Sequence, residues 1–100
     1  MGAQIIRAVV PTTSASRYLQ QLCKHWSHKF ETEFDAAVGR IELPFGRLEM
    51  AAGGDALTLT LHPAEGADVE RFKDVVASHL ERFAFREAPL AYGWSAAAAD

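Results

Sequence analysis

"FETEFDAAVGRIELPFGRLEMAAGGDALTLTLH", residues 30–62, places apolar side chains at alternating positions in four successive runs. Phe30, Thr32, Phe34 and Ala36 alternate with Glu31, Glu33 and Asp35, and Ile41, Leu43 and Phe45 alternate with Arg40, Glu42 and Pro44. Leu48 and Met50 alternate with Arg47 and Glu49, then Leu57, Leu59 and Leu61 with Thr58, Thr60 and His62. An extended chain sends successive side chains to opposite faces, so each run predicts a half-buried strand. Val38-Gly39, Phe45-Gly46 after Pro44, and Gly53-Gly54-Asp55 supply turns between them. Connections this short join antiparallel neighbours, giving a meander that is oily on one face and wet on the other. In this register Phe34 and Phe45 face the core. The wet face displays Glu31, Glu33, Asp35, Arg40, Glu42, Arg47, Glu49, Thr58, Thr60 and His62, charges of both signs at cross-strand spacing.

The flanking segments carry other periods. "AQIIRAVVP", residues 3–11, is rich in β-branched residues, stops at Pro11 and reads as a strand with Ile6, Ala8 and Val10 on one side. In "TTSASRYLQQLCKHWSHKF", residues 12–30, Ala15, Leu19, Leu22, Cys23, Trp26 and Phe30 fall within about 100° of a helical wheel, with Thr13 or Ser14 as N-cap. A second helix begins at Ala67 or Asp68 and buries Val69, Phe72, Val76, Leu80 and Phe83. Phe85 would point away from that stripe, so the helix ends or bends between Phe83 and Phe85. "REAPLAYGW", residues 86–94, then brings Leu90, Tyr92 and Trp94 back onto the body. The order is β-α-β-β-β-β-α. Two striped helices and one half-buried sheet predict an α+β two-layer sandwich, an antiparallel sheet of about five strands with both helices on one face. Residues 1–94 form the single domain, and "SAAAAD", residues 95–100, is expected to be a disordered tail.

Composition narrows the function classes. With 100 residues and 49% apolar content, the chain is one domain with a modest core. A net charge of -3 gives no bulk attraction to nucleic acid, and no apolar run approaches a membrane span. The start of the chain lacks a secretory leader, so a cytoplasmic protein is expected. Cys23 is the single cysteine, which rules out an intrachain disulfide and Cys-rich zinc frameworks.

Candidate chemistry gathers in two places. In "CKHWSHKF", residues 23–30, Cys23 lies about 160° around a helix from His25 and about 140° from His28, so it cannot share an ion with either and reads as a core residue. His25 and His28, at i and i+3, lie about 60° apart and could share a ligand, although the spacing supplies no third metal ligand and no metal site is assigned. In "HLERFAFRE", residues 79–87, Val75, His79, Arg82 and Arg86 form a stripe if the helix persists to Arg86. One imidazole and two guanidinium groups would then grip a carboxylate or phosphate. The simpler alternative has Arg82 and Arg86 pairing with Glu81, Glu87 or the acidic "ETEFD", while His79 binds a carbonyl. Every glycine of the middle region is accounted for by a hairpin, no serine sits at a strand-to-helix elbow, and no catalytic residue or cofactor is assigned.

"SASRYLQQLCKHWSHKFE", "GRIELPFG" and "HLERFAFREAPL" resemble the blocks of a small bacterial family, DUF2218, over about residues 4–94. The resemblance implies a compact α+β domain and no established activity. It also implies a setting, since some relatives occur beside or joined to siderophore-interacting proteins of iron uptake, and some carry an aldolase-like name. The matching positions include His25, His28, His79, Arg82, Phe83, Phe85 and Arg86, and no family role transfers to any of them. The expected function is a small binding or accessory domain, linked through the resemblance to iron-siderophore handling, with His79, Arg82 and Arg86 holding an anionic group and His25 or His28 contributing. The expected partners are a small anionic ligand or a siderophore-related protein. Two alternatives stand beside it: a small enzyme or metalloprotein using His25, His28 and His79, and an interaction module that forms a homodimer through the wet sheet face.

Overall fold

The computed structural model describes residues 4–97. Its elements are β1 (Ile5–Pro11), α1 (Ala15–Trp26), β2 (Thr32–Phe34), β3 (Val38–Leu43), β4 (Gly46–Ala52), β5 (Ala56–Pro63), α2 (Val69–Phe83) and β6 (Ser95–Ala97). The strands form one antiparallel sheet in the order β2-β3-β4-β5-β1-β6. This is the expected α+β sandwich with six strands. The alternation in the sequence sets its register. Ile41, Leu48, Leu61 and Ile6 lie in one cross-strand row, and Gly39, Met50, Leu59 and Ala8 in the next, all buried. Both helices pack into the same core, α1 through Leu19, Leu22, Cys23 and Trp26, and α2 through Phe72, Val76 and Leu80. Burying one such side chain contributes about 1.5–3 kcal/mol, so this face carries most of the folding free energy.

The chain departs from the sequence reading at both hinges of α1. At its start Ser14 is the N-cap, but its side chain caps nothing. The hydroxyl of Thr12 instead accepts from the Ser14 amide at 3.0 Å. At its end the helix stops at Trp26, four residues before Phe30. The amides of Lys29 and Phe30 both donate to Trp26 O, and the Ser27 hydroxyl donates to Lys24 O. These bonds satisfy the last carbonyls by tightening the chain into a turn. His28 therefore lies in that turn and is not a helical i+3 partner of His25.

Beyond the turn, β2 keeps three residues of the strand expected over 30–36. The Asp35 carboxylate accepts from the amides of Ala37 and Val38, which places the hairpin turn at 35–37. These two amides hold the Asp35 carboxyl below its ordinary value. Val38 and Gly39, expected to be the turn, lie in β3. Gly39 serves packing, because a Cβ there would sit 2.8 Å from Cys23 Sγ and 3.1 Å from Leu19 Cδ2. Gly46 is a true turn glycine, with φ +140°. Phe45 packs against the core and stacks on Phe72, whereas Phe34, expected inside, is 36% exposed at the sheet edge.

After α2 the expected return of the chain is present. Leu90 is buried, Tyr92 and Trp94 pack against the core, and their rings stack at 5.5 Å. The end differs from expectation, because Ser95–Ala97 pair with β1 as β6. Residues 98–100 of the expected tail lie outside the described residues. No helix of the described residues is long and apolar enough to cross a membrane.

Candidate functional site

The last turn of α1 packs against the C-terminal half of α2, and the side chains that meet there are aromatic and basic. The ring of His79 lies 4.8 Å from that of Trp26 and 5.5 Å from that of His25. His25 in turn meets the edge of Phe83 at 5.8 Å. His79 Nδ1 lies 2.7 Å from Val75 O. A carbonyl only accepts, so Nδ1 carries the hydrogen. Nε2 then bears the lone pair of the neutral ring or the second N–H of the charged one, and it has no protein partner among the described residues.

The two histidines form a ridge between two hollows. A cleft of about 450 Å³ is lined by four basic side chains, His25, His28, Lys29 and His79, and by apolar ones that include Phe45 and Val75. A smaller hollow of about 240 Å³ is lined by His25, His79, Arg82 and Phe83. His25 is held below the ordinary imidazole range, first by partial desolvation and then by the positive charge of His79, Arg82, His28 and Lys29. None of these causes is an acid.

The absence of an acid has a structural cause. Four of the five carboxylates expected to answer Arg82 are engaged elsewhere, and the fifth, Glu31, forms no ion pair among the described residues. Glu81 accepts from the Tyr92 hydroxyl at 2.9 Å and the Leu90 amide at 3.2 Å. Glu87 accepts from the hydroxyls of Tyr18 and Thr12. Glu33 pairs with Arg40, and Asp35 closes its own turn. Arg82 itself has no ion pair among the described residues.

Of the residues singled out by sequence, the fold brings together His25, His28, His79 and Arg82. Arg86 is not among them. The helix ends at Phe83, so the stripe that needed helical geometry to Arg86 does not form, and its guanidinium lies over the ring of exposed Phe85. Lys29 joins the cleft although its sequence position gave no periodic signal. Its proximity to His28 in a turn was the available clue. Tyr18 and Glu87, which hold the segment after α2 against the start of α1, lie 69 positions apart, and no local pattern links them.

Other candidate chemistry is accounted for by structure. Cys23 is fully buried, and desolvation pushes its thiol up to about 12. No three His, Cys, Asp or Glu side chains come together as metal ligands among the described residues. A larger hollow of about 580 Å³ lies over the outer sheet face, but its charged lining is already paired, Arg40 with Glu33 and Glu49 with His62.

Comparison with known proteins agrees with this architecture. No curated protein matches the chain. A solved structure does, described as "NMR structure of PA4090 from Pseudomonas aeruginosa", with 33% sequence identity and a TM-score of 0.74. The match covers 93% of this chain and 96% of that one. Residues 7–95 match the family described as "Uncharacterized protein conserved in bacteria (DUF2218)". With nearly the whole chain matched by that family and the same fold found in a solved structure, the chain belongs to the DUF2218 family.

Proposed function

We propose that the protein is a small binding domain that takes an anionic ligand where α1 ends against α2. One observation supports this reading above the others: His25, His28, Lys29, His79 and Arg82 gather around two adjoining hollows, and no carboxylate answers them. Like charges held together repel, and a protein of net charge -3 has acids enough to neutralise them. An anion would supply the missing charge, with Arg82 offering a planar fork and His79 Nε2 a further donor when protonated. His25 titrates below the ordinary range, so binding through its charged form strengthens as pH falls. The link to iron-siderophore handling comes from the family resemblance and makes a ferric chelate with free carboxylates a natural probe.

Thermal unfolding with increasing citrate, or with a carboxylate-bearing ferric chelate, tests the reading. A ligand bound only by the folded state raises stability by mass action, by about 2.7 kcal/mol at 100 times Kd, and the midpoint rises with it. The rise should shrink in Arg82→Ala and at high salt. No rise with any anion, or an equal rise in Arg82→Ala and His79→Gln, would rule it out.

A further inference from the structure

We infer that the ligand of the larger cleft is an amphiphilic carboxylate, an anionic head on a flat or chain-like apolar body; this rests on the anion-binding reading above. The lining is divided by chemistry. The polar side chains His25, His28, Lys29 and His79 are all basic, and no acidic residue lines the cleft. The remaining walls are apolar and come from separate elements: Trp26 from the end of α1, Phe30 from the turn after it, Leu43, Pro44 and Phe45 from the β3–β4 hairpin, and Val75 from α2.

The volume decides between a compact ion and a larger body. At about 450 Å³ the cleft lies in the range of small-molecule sites. A phosphate would displace only a few waters, each occupying roughly 30 Å³, and would leave the apolar walls wet. A ring or short acyl chain would cover them, with its carboxylate against the basic side chains. The walls are also held in place. Phe45 stacks on fully buried Phe72, and His79 is fixed by Val75 O on one side and Trp26 on the other. A preformed wall loses little freedom on binding.

The test uses the full chain and four probes: 2-naphthoate, its neutral analogue 2-naphthylmethanol, acetate and inorganic phosphate. Affinities come from NMR titration, which also maps the perturbed residues. Naphthoate should bind at least about tenfold more tightly than each of the others, with shifts centred on His25, Phe45 and Val75. Lys29→Glu, a change at an exposed residue of the lining, should weaken naphthoate by about tenfold without lowering the unfolding midpoint. Equal binding of naphthoate, acetate and phosphate would overturn the amphiphile and leave the anion site standing. Equal binding of the neutral alcohol, or shifts mapping to the outer sheet face, would overturn the inference. Silence from all three anions would overturn both.

Discussion

Two charged regions of this protein are built on opposite principles. On the outer sheet face Glu33, Arg40, Glu42, Arg47, Glu49 and His62 form a continuous ladder. Arg40 bridges Glu33 at 2.7 Å and Glu42 at 2.6 Å, and Arg47 extends the chain to Glu42 at 2.9 Å. At the helix ends His25, His28, Lys29, His79 and Arg82 meet with no acid between them. The ladder is what strand register produces when alternating charges fall opposite one another. The basic cluster lacks any such internal resolution, which separates a surface that completes itself from one that an outside group would complete.

The scale for both is set beneath the sheet. Leu59 is fully buried between Met50 and Ala8, its cross-strand neighbours. Leu59→Ala should cost about 2–5 kcal/mol in denaturant unfolding, far more than any single charge on either region. A cost below about 1 kcal/mol would mean that the inner face is not the source of stability, and the contrast between the charged regions would lose its reference.

Glu42 is the ladder's central acceptor, and its loss is the next largest effect. Burial pushes its carboxyl up, but hydrogen bonds from Arg40 and Arg47 outweigh this and leave it below the ordinary value. A depressed carboxyl stabilises the fold above its unfolded value, and that contribution is lost as pH falls through the folded one. Glu42→Gln should therefore cost up to about 1 kcal/mol at neutral pH, and less in 1 M salt or in acid, where wild type loses the same interaction. A cost independent of both salt and pH would show that Glu42 contributes by packing and not by charge.

These contrasts were unequally legible in the sequence. The register of the ladder was readable because Arg40 and Glu42, Arg47 and Glu49, and Thr60 and His62 each sit two apart on their strands, and the buried Ile41, Leu48 and Leu61 between them allow no slip. The ends of α1 were not. Its termination depends on the turn at Ser27–Lys29, whose bonds run to backbone carbonyls and leave no mark on the helical wheel. Gly39 looked like a turn because a glycine's requirement for close packing resembles its requirement for unusual dihedrals until α1 is laid over it. The meeting of His25 with His79, 54 positions apart in the chain, needed the relative placement of two helices, which follows from the core as a whole. Arg82 was legible as a basic residue near a helix end, but its lack of a partner was not, since that depends on where Glu81 and Glu87 find theirs.

The smallest effect is the most discriminating, because its sign should oppose that at Glu42. His25 is exposed, but partial desolvation and then its basic neighbours hold it below the unfolded value of about 6.5. In the window between the folded value and 6.5 the unfolded chain binds more protons, so stability rises with pH there, and the penalty is fully present only below the folded value. His25→Gln removes this titration. At pH 7.5 the variant should match wild type within about 0.5 kcal/mol, and near pH 5 it should be the more stable of the two. Comparing the unfolding midpoints of both proteins at the two pH values isolates His25 from the carboxylates, which titrate alike in each. Saturating anion should reverse the order at pH 5, because wild type then gains a ligand that the variant holds less well. A variant less stable than wild type at pH 5 without anion would mean that the imidazolium already has a partner within the chain, and the basic cluster would then be a second self-completed surface like the ladder.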